Sequence, residues 1–326
     1  MSTYAAAGVD IRAAEENVRR IGEHVRSTHG PEVLGRFGAF AGLFQLPELN
    51  EPVLVASTDG VGTKLLLAAE LCAYNVLGRD LVNLSVNDVL TTGARPLFFL
   101  DYVGLHALDH AVMEGLVGGM AAACRENGCA LLGGETAQLP DLYGQGHFDL
   151  VGTVVGVVER TKIVDGSTVR VGDRVWGLPS TGLHTNGYTL ARQIVAGLDL
   201  SQDPGGLGQS LGEALLAPHP SYLGAIQPIL DEVKAIAHIT GGGILGNLPR
   251  VLPESVSAEI DWGSWRVPPI FEVLQKLGGV APDEMLRVFN MGLGLIFVTD
   301  PVANCPGAVE IGRVASRGPE RVAILR

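Results

Sequence analysis

Apolar residues fall along this chain in two alternating rhythms. The runs VLVAS (53–57), LFFLDYV (97–103), ALLG (130–133) and FDLVGTVVGVV (148–158) are rich in β-branched and aromatic residues and read as strands. Between the second and third of these, Leu108, Val112, Leu116, Val117, Met120 and Cys124 recur at helical spacing, which predicts an amphipathic helix over 108–126. Another helix is predicted over 78–92, with Pro96 closing the loop behind it. An earlier one, over 11–28, carries Val18, Ile21 and Val25 on one stripe.

A polar, turn-rich stretch, ERTKIVDGSTVRVGD (159–173), then breaks the pattern, and a domain boundary is placed at 165. This divides the chain into domains 1–165 and 166–326. The second half opens on the strand-like DRVWGLPS and continues with helical segments at 187–196, 209–217 and 219–234. Further strands are expected at 256–260, 293–299, 308–315 and 321–325. No solenoid-period repeat and no low-complexity segment is visible. The fold class read from this pattern is α/β in two domains.

Composition narrows the picture. A length of 326 residues suits two domains, and 47% hydrophobic residues with only 6% aromatic ones demand a mostly aliphatic core. The net charge is −12 with no basic block, which argues against a nucleic-acid surface. An anionic nucleotide is still compatible, because backbone N–H groups and a metal supply positive potential locally. The cysteines, Cys72, Cys124, Cys129 and Cys305, form no CxxC pair and read as small buried hydrophobes in a reducing compartment. The charged amino-terminal stretch does not fit a signal peptide, and Glu70 interrupts the most apolar run. A soluble cytoplasmic protein with no membrane partner is expected.

Acidic side chains recur where apolar elements meet turns. Asp59 follows VLVAST, Asp88 follows LVNLSVN and Glu135 follows ALLGG. Any one of them is more commonly a cap or turn residue. Together, if the strands bearing Asp59 and Glu135 are neighbours, they make a hard oxygen site suited to Mg²⁺ and phosphate oxygens. Gly60, Gly62, Gly133 and Gly134 would let main-chain N–H groups approach an anion closely. Lys64 reads equally as a phosphate contact or as a solvated lysine in a first helical turn. Asp101 sits on an otherwise apolar strand, where burial without a partner is costly.

The second half has two glycine turns before helices, STGLHTNGY (180–188) and HITGGGILGNLPR (238–250). Helix N-termini preceded by glycines are natural anion sites, and His184, Asn186, His238 and Thr240 would flank them. Each histidine taken alone reads first as a structural, hydrogen-bonded residue. Gly241, Gly243 and Gly246 also match GxGxxG, but Asn247, Pro249 and Arg250 interrupt the helix that a dinucleotide site requires.

Taken in order, YAAAGVDI (4–11), STDGVGTKL (57–65), VND (86–88), GARPLFFLDY (93–102), GGETAQLP (133–140), GLHTNGY (182–188), HITGGG (238–243) and FNMGLG (289–294) resemble the phosphoribosylformylglycinamidine cyclo-ligase family. The resemblance covers nearly the whole chain. It implies a first domain that contributes strands to a β-barrel spanning a homodimer, and an α/β second domain. It implies ATP- and Mg²⁺-dependent conversion of formylglycinamidine ribonucleotide to aminoimidazole ribonucleotide, a ligase step of purine biosynthesis. Carried over residue by residue, it makes Asp59, Asp88 and Glu135 the metal site, directly or through water. It sets Gly60, Gly62, Thr63, Lys64, Asn87, Gly133 and Gly134 along the nucleotide. His184 and Asn186, with Asp59, would be catalytic, and His238, Thr240, Gly241 and Gly242 would bind substrate.

The chain departs from the family pattern in three places. Gly22 stands where the family carries a lysine, leaving Arg19, Arg20 or Arg26 as substitutes. GAFAG (38–42) replaces GGFGG, and TDPVANCPGAVEIG leaves little room for a helix between the last strands. The alternative readings are another ATP-dependent phosphotransferase of the same superfamily, or a non-catalytic nucleotide-binding regulator.

Overall fold

The computed structural model describes residues 8–300 and 304–326, so Tyr4 to Ala7 of the first motif lie outside the described residues. The chain divides into two compact units, the residues up to Val89 with Arg95–Glu159, and Leu90–Ala94 with Arg160–Arg326.

The first unit runs α1 (Ile11–Arg26), β1 (Pro52–Gly60), α2 (Lys64–Glu70), α3 (Tyr74–Leu90), β2 (Arg95–Leu105), α4 (His110–Glu126), β3 (Ala130–Gln138) and β4 (Phe148–Glu159). Two of its helices, α1 and α4, start where an aspartate side chain satisfies otherwise orphaned amides. The N–H groups of Arg12 and Ala13 donate to Asp10 Oδ1 at 2.9 and 3.2 Å. Those of Ala111 and Val112 donate to Asp109 Oδ1 at 2.8 and 3.2 Å, opening α4. The four strands form one open sheet in the order β1-β4-β2-β3, with β2 and β3 parallel and the other pairs antiparallel. Leu81 of α3 and Phe99 pack on one face of this sheet at Gly152, where a Cβ would lie 2.1 Å from the Phe99 ring. The opposite face carries Leu54 and Leu100 largely in the open, at 57% and 37% exposure. Within one chain the sheet does not close into a barrel.

Two sequence expectations change here. The buried stripe of α1 runs through Asn17, Ile21 and Val25, spaced four apart, while Val18 is half-exposed and borders a cavity. Cys72 is exposed in a left-handed backbone conformation (φ +52°) just beyond α2, so only the other three cysteines are buried.

The second unit runs β5 (Arg174–Pro179), α5 (Tyr188–Ile194), α6 (Leu211–Leu215), α7 (Leu223–Ile226), β6 (Val233–His238), α8 (Gly243–Asn247), β7 (Val256–Asp261), α9 (Pro269–Gly278), α10 (Pro282–Val288), β8 (Leu293–Thr299), β9 (Val309–Ser316) and β10 (Val322–Leu325). Among the described residues, six strands form a mixed sheet in the order β10-β7-β9-β5-β8-β6, with β10 and β7 parallel and the other pairs antiparallel. Every residue of β8 is buried, which explains its unbroken apolar run LGLIFV. The helix expected at 219–234 shortens to the single turn α7 and a 3₁₀ turn over Gln227–Glu232. Pro228 withholds an N–H from the helical ladder, and β6 starts at Val233 instead. The link from β8 to β9 has no helix among its described residues. Among the described residues, no helix is long and apolar enough to cross a membrane.

Candidate active site

In the first unit, cross-strand pairing lines up Asp59 of β1, Gly152 of β4, Asp101 of β2 and Gly134 of β3 in one transverse row. Directly opposed residues share a face, so the Asp59 and Asp101 side chains project to the face on which α3 packs. Glu135 falls one residue further, opposite Tyr102, and projects to the other face. β1 and β3 are therefore not neighbours. Two strands separate them, about 14 Å at the usual spacing of sheet strands. The expected trio of Asp59, Asp88 and Glu135 is not assembled within one chain. Among the described residues, no group of three His, Cys, Asp or Glu side chains is placed to hold a metal.

Asp59 and Asp88 are instead linked through Ser57. Asp59 is the penultimate residue of β1, exposed, with the Gly60 N–H donating to its Oδ1 at 2.7 Å. Ser57, two residues earlier on the same strand face, donates to Asp88 Oδ2 of α3 at 3.0 Å. Both are hard oxygen donors at one corner of the sheet, the donor type Mg²⁺ accepts alongside phosphate oxygens and water. Gly62 follows with φ +57°, a left-handed turn that glycine adopts without penalty, and Thr63 leads into α2.

Lys64 and Asn87 take up positions the sequence did not reveal. Lys64 is neither a solvated lysine nor open to an anion, for its Nζ lies 2.5 Å from Asp80 Oδ2 with both side chains at 0% exposure. α2 turns the lysine inward against α3, and the buried ammonium is compensated there. Asn87 is likewise wholly buried within α3.

A cavity of about 270 Å³ lies beneath α1, bordered by Asn17, Val18, Phe37, Asp101, Gly134 and Glu135, among others. Gly133 and Gly134 line it. The need for glycine at 134 is concrete, because a Cβ there would lie 2.3 Å from Asp101 Oδ1. Asn17 is buried at 1% exposure, and its Oδ1 has no hydrogen-bond partner. Such an orphaned acceptor costs roughly 1–3 kcal/mol until something donates to it. Burial pushes the Asp101 carboxyl up to about 7, and the neighbouring Glu135 charge adds to the effect.

A stability prediction follows from the sign of that shift. A carboxyl whose folded pKa lies above its unfolded value disfavours the folded state once both forms are ionised. The penalty is full above pH 7, shrinks as pH falls through the folded value, and is gone below the unfolded value near 3.8. Asp101→Asn is expected to raise the denaturation midpoint at pH 8 relative to wild type, with the difference vanishing towards pH 4. Urea melts of both proteins across that range check it, and a pH-independent difference would exclude the buried-charge account.

In the second unit the two glycine turns come together. The first leaves β5 and the second leaves β6, and a Cβ on Gly241 would sit 3.4 Å from Asn186 Oδ1. Gly242, with φ +96°, starts α8, and Asn247 at the end of α8 donates to the carbonyls of Thr240, Gly241 and Gly243 at 3.3, 3.2 and 2.9 Å. The residue that breaks the dinucleotide pattern is thus the clamp of the HITGGG turn. Asn290 ties the first turn to FNMGLG, accepting from Ser180 Oγ and donating to the Gly182 carbonyl. His184 takes φ +62°, and the Thr181 N–H donates to its Nε2 at 3.3 Å. Gly294 makes room for this ring, since a Cβ there would meet the Tyr222 hydroxyl and His184 Cε1 within 2.5 Å. His238 closes β6 nearby, with His219 between the two histidines.

Sequence reasoning missed Asn17, Asp80, His219, Asn247 and Asn290. All are buried polar residues, and buried polar groups in apolar contexts are the signal that would have flagged them.

Comparison with known proteins decides the family. The family described as AIR synthase related protein matches residues 41–158 through its N-terminal domain and 170–324 through its C-terminal domain. A phosphoribosylformylglycinamidine cyclo-ligase of Sorangium cellulosum is 51% identical over 306 residues, covering 91% of this chain and 88% of that one. One from Myxococcus xanthus is 48% identical over 341 residues and covers 99% of both chains. The chain belongs to the phosphoribosylformylglycinamidine cyclo-ligase family. The same fold occurs in solved structures of low sequence identity. Thiamine-monophosphate kinase from Stenotrophomonas maltophilia shares the fold at a TM-score of 0.70 and 19% identity, covering 94% of this chain and 95% of that one. A hydrogenase maturation protein solved in complex with ATP does so at 0.65 and 19%, covering 97% and 92%.

Proposed function

We propose that this chain closes the imidazole ring of 5-aminoimidazole ribonucleotide from formylglycinamidine ribonucleotide, using ATP and releasing ADP and phosphate. The observation that carries this reading is identity of 48% sustained across 99% of a cyclo-ligase chain. An amide oxygen is a poor leaving group, so ATP phosphorylates the formyl oxygen to an iminophosphate. The substrate's amidine nitrogen then attacks that carbon, and phosphate departs as the ring closes. The protein's task is to position the two reactants and neutralise phosphoryl charge.

In this assignment the first unit binds ATP. The nucleobase occupies the cavity beneath α1, where an exocyclic amino group satisfies Asn17 Oδ1. The phosphates lie along Gly60, Gly62, Thr63 and the Gly133–Gly134 edge. Mg²⁺, held by Asp59 and Asp88 with phosphate oxygens and water, would offset the charge on the transferring phosphoryl group. Of the three candidate arginines, Arg19 and Arg20 are engaged by Glu16, whereas Arg26 lies over Gly22, its Nη1 2.8 Å from where a Cβ would stand. Arg26 is therefore the cation we assign to the role of the family lysine. The second unit presents His184, Asn186, His238, Thr240, Gly241 and Gly242 to the substrate.

The open sheet of the first unit supports a homodimer, and the proposed role places the enzyme in the cytoplasm. Leu54, Ala56, Phe98, Leu100 and Val155 share its outer face, an apolar surface that a second copy would cover to complete a barrel.

Turnover with formylglycinamidine ribonucleotide, ATP and Mg²⁺ tests the function, following ADP and aminoimidazole ribonucleotide together in a preparation sedimenting as a dimer. Equal amounts of both products are expected. ADP release without the ring product would sink the assignment, and a monomer of full activity would remove the barrel.

A further inference from the structure

His219, from APHPSY (217–222), lies outside every motif that carries the family resemblance. In the structure it sits between two histidines that those motifs supply. Its ring stacks on His184 with centroids 4.1 Å apart and planes inclined by 22°. Its Nε2 lies 3.1 Å from His238 Nε2, and its Nδ1 lies 3.3 Å from Thr185 Oγ1. His184 and His219 are fully buried, and His238 is 5% exposed. The rings do not converge on a common point as metal ligands do. His219 offers its face to one neighbour and its edge nitrogen to the other.

Two imidazole nitrogens at that distance share a single hydrogen, so one ring donates and the other accepts. If the Thr185 hydroxyl donates to His219 Nδ1, His219 carries its hydrogen on Nε2 and gives it to His238, whose own hydrogen then sits on Nδ1. If Thr185 accepts, the roles reverse and His238 carries its hydrogen on Nε2. In both cases the contact with His219 selects the tautomer of His238 and stops its ring from flipping. Burial sharpens this, because no bulk water is present to take the place of either partner.

We propose that His219 is a positioning residue of the cyclo-ligase, its Nε2 fixing the tautomer and ring orientation of His238 at the substrate side of the second unit. The proposal rests on the reading that His238 faces the substrate. Outer hydrogen-bond partners that orient metal-ligating histidines are worth about 10–100-fold in affinity or activity, and the same orienting role sets the scale expected here.

His219→Phe keeps a flat ring against His184 but has no nitrogen, whereas His219→Gln carries an amide that can reach the same point. The phenylalanine variant is expected to lose about 10–100-fold in kcat for the ribonucleotide substrate, with KM for ATP changed less than about twofold. The glutamine variant is expected to regain most of that loss. In ¹⁵N-histidine NMR spectra, His238 should show one tautomer in the wild type and a tautomer mixture in His219→Phe. Wild-type kcat in His219→Phe, or an unchanged His238 tautomer, overturns the proposal. If His219→Phe does not fold, Thr185→Val carries the test, since losing the hydroxyl should alter the tautomer of the His219–His238 pair. His238→Gln separates the two readings. Full turnover in that variant rejects the substrate-side role of His238, while the NMR signature still decides whether His219 sets its tautomer.

Discussion

Asp59→Asn is expected to lower kcat/KM by about 100-fold or more while leaving the fold intact. The two halves of that expectation come from different observations. The residue is exposed near the end of β1, and an asparagine of the same shape still accepts the Gly60 N–H, so stability should change by less than about 0.5 kcal/mol. What disappears is a full negative charge at the corner where Ser57 also holds Asp88. Charge at that point matters only if a cation or a developing phosphoryl charge is nearby, which makes the variant a test of placement as well as of importance. Thermal melts followed by circular dichroism should coincide with wild type. Initial rates measured against Mg²⁺ concentration should show the loss, partly recovered at high Mg²⁺ if the carboxylate binds the ion. Wild-type rates at ordinary Mg²⁺ would remove Asp59 from the site.

How much of this was legible in the chain depends on whether a feature is local. The strands 53–57, 97–103 and 148–158 and the helix 108–126 were readable because alternation and helical spacing are encoded within each segment. Their ends were less so, since hydrogen-bond continuation carries β2 out to Leu105 and β4 to Glu159. α9 and α10 went unread although each opens on a proline at its first position, a start signal carried by segments of only ten and seven residues. Strand order lay further out of reach. Nothing in VLVAS or ALLG says that β4 and β2 come between them, so the idea of Asp59 and Glu135 as neighbours failed on topology, not chemistry. The convergence of the two glycine turns was foreseeable only as a guess, because it depends on β5 and β6 both flanking β8. His219 was invisible for the same reason: its partners are 35 and 19 residues away, and only folding brings the three rings together.

Lys64 gives the largest expected effect on stability, because a lysine whose glycine-rich context reads as an anion contact is buried against Asp80. Lys64→Met leaves Asp80 charged at 0% exposure with its cation removed. Breaking a buried pair from one side costs about 3–5 kcal/mol, roughly a 10 °C fall in Tm for a unit of this size. Asp80→Leu alone should be comparably harmful, since it strands the ammonium instead. Lys64→Met with Asp80→Leu removes both charges and fills most of the same volume, so it should recover much of the loss. That non-additivity separates a buried pair from two independent surface charges, whose effects would simply sum. Guanidinium melts of the four proteins measure it directly. A phosphate-contact role predicts the opposite pattern, with near-wild-type melts for Lys64→Met and a KM for ATP raised by about tenfold or more. Should that be the result, the ammonium must leave Asp80 when the nucleotide binds, and α2 would be a moving part of the site instead of its fixed floor.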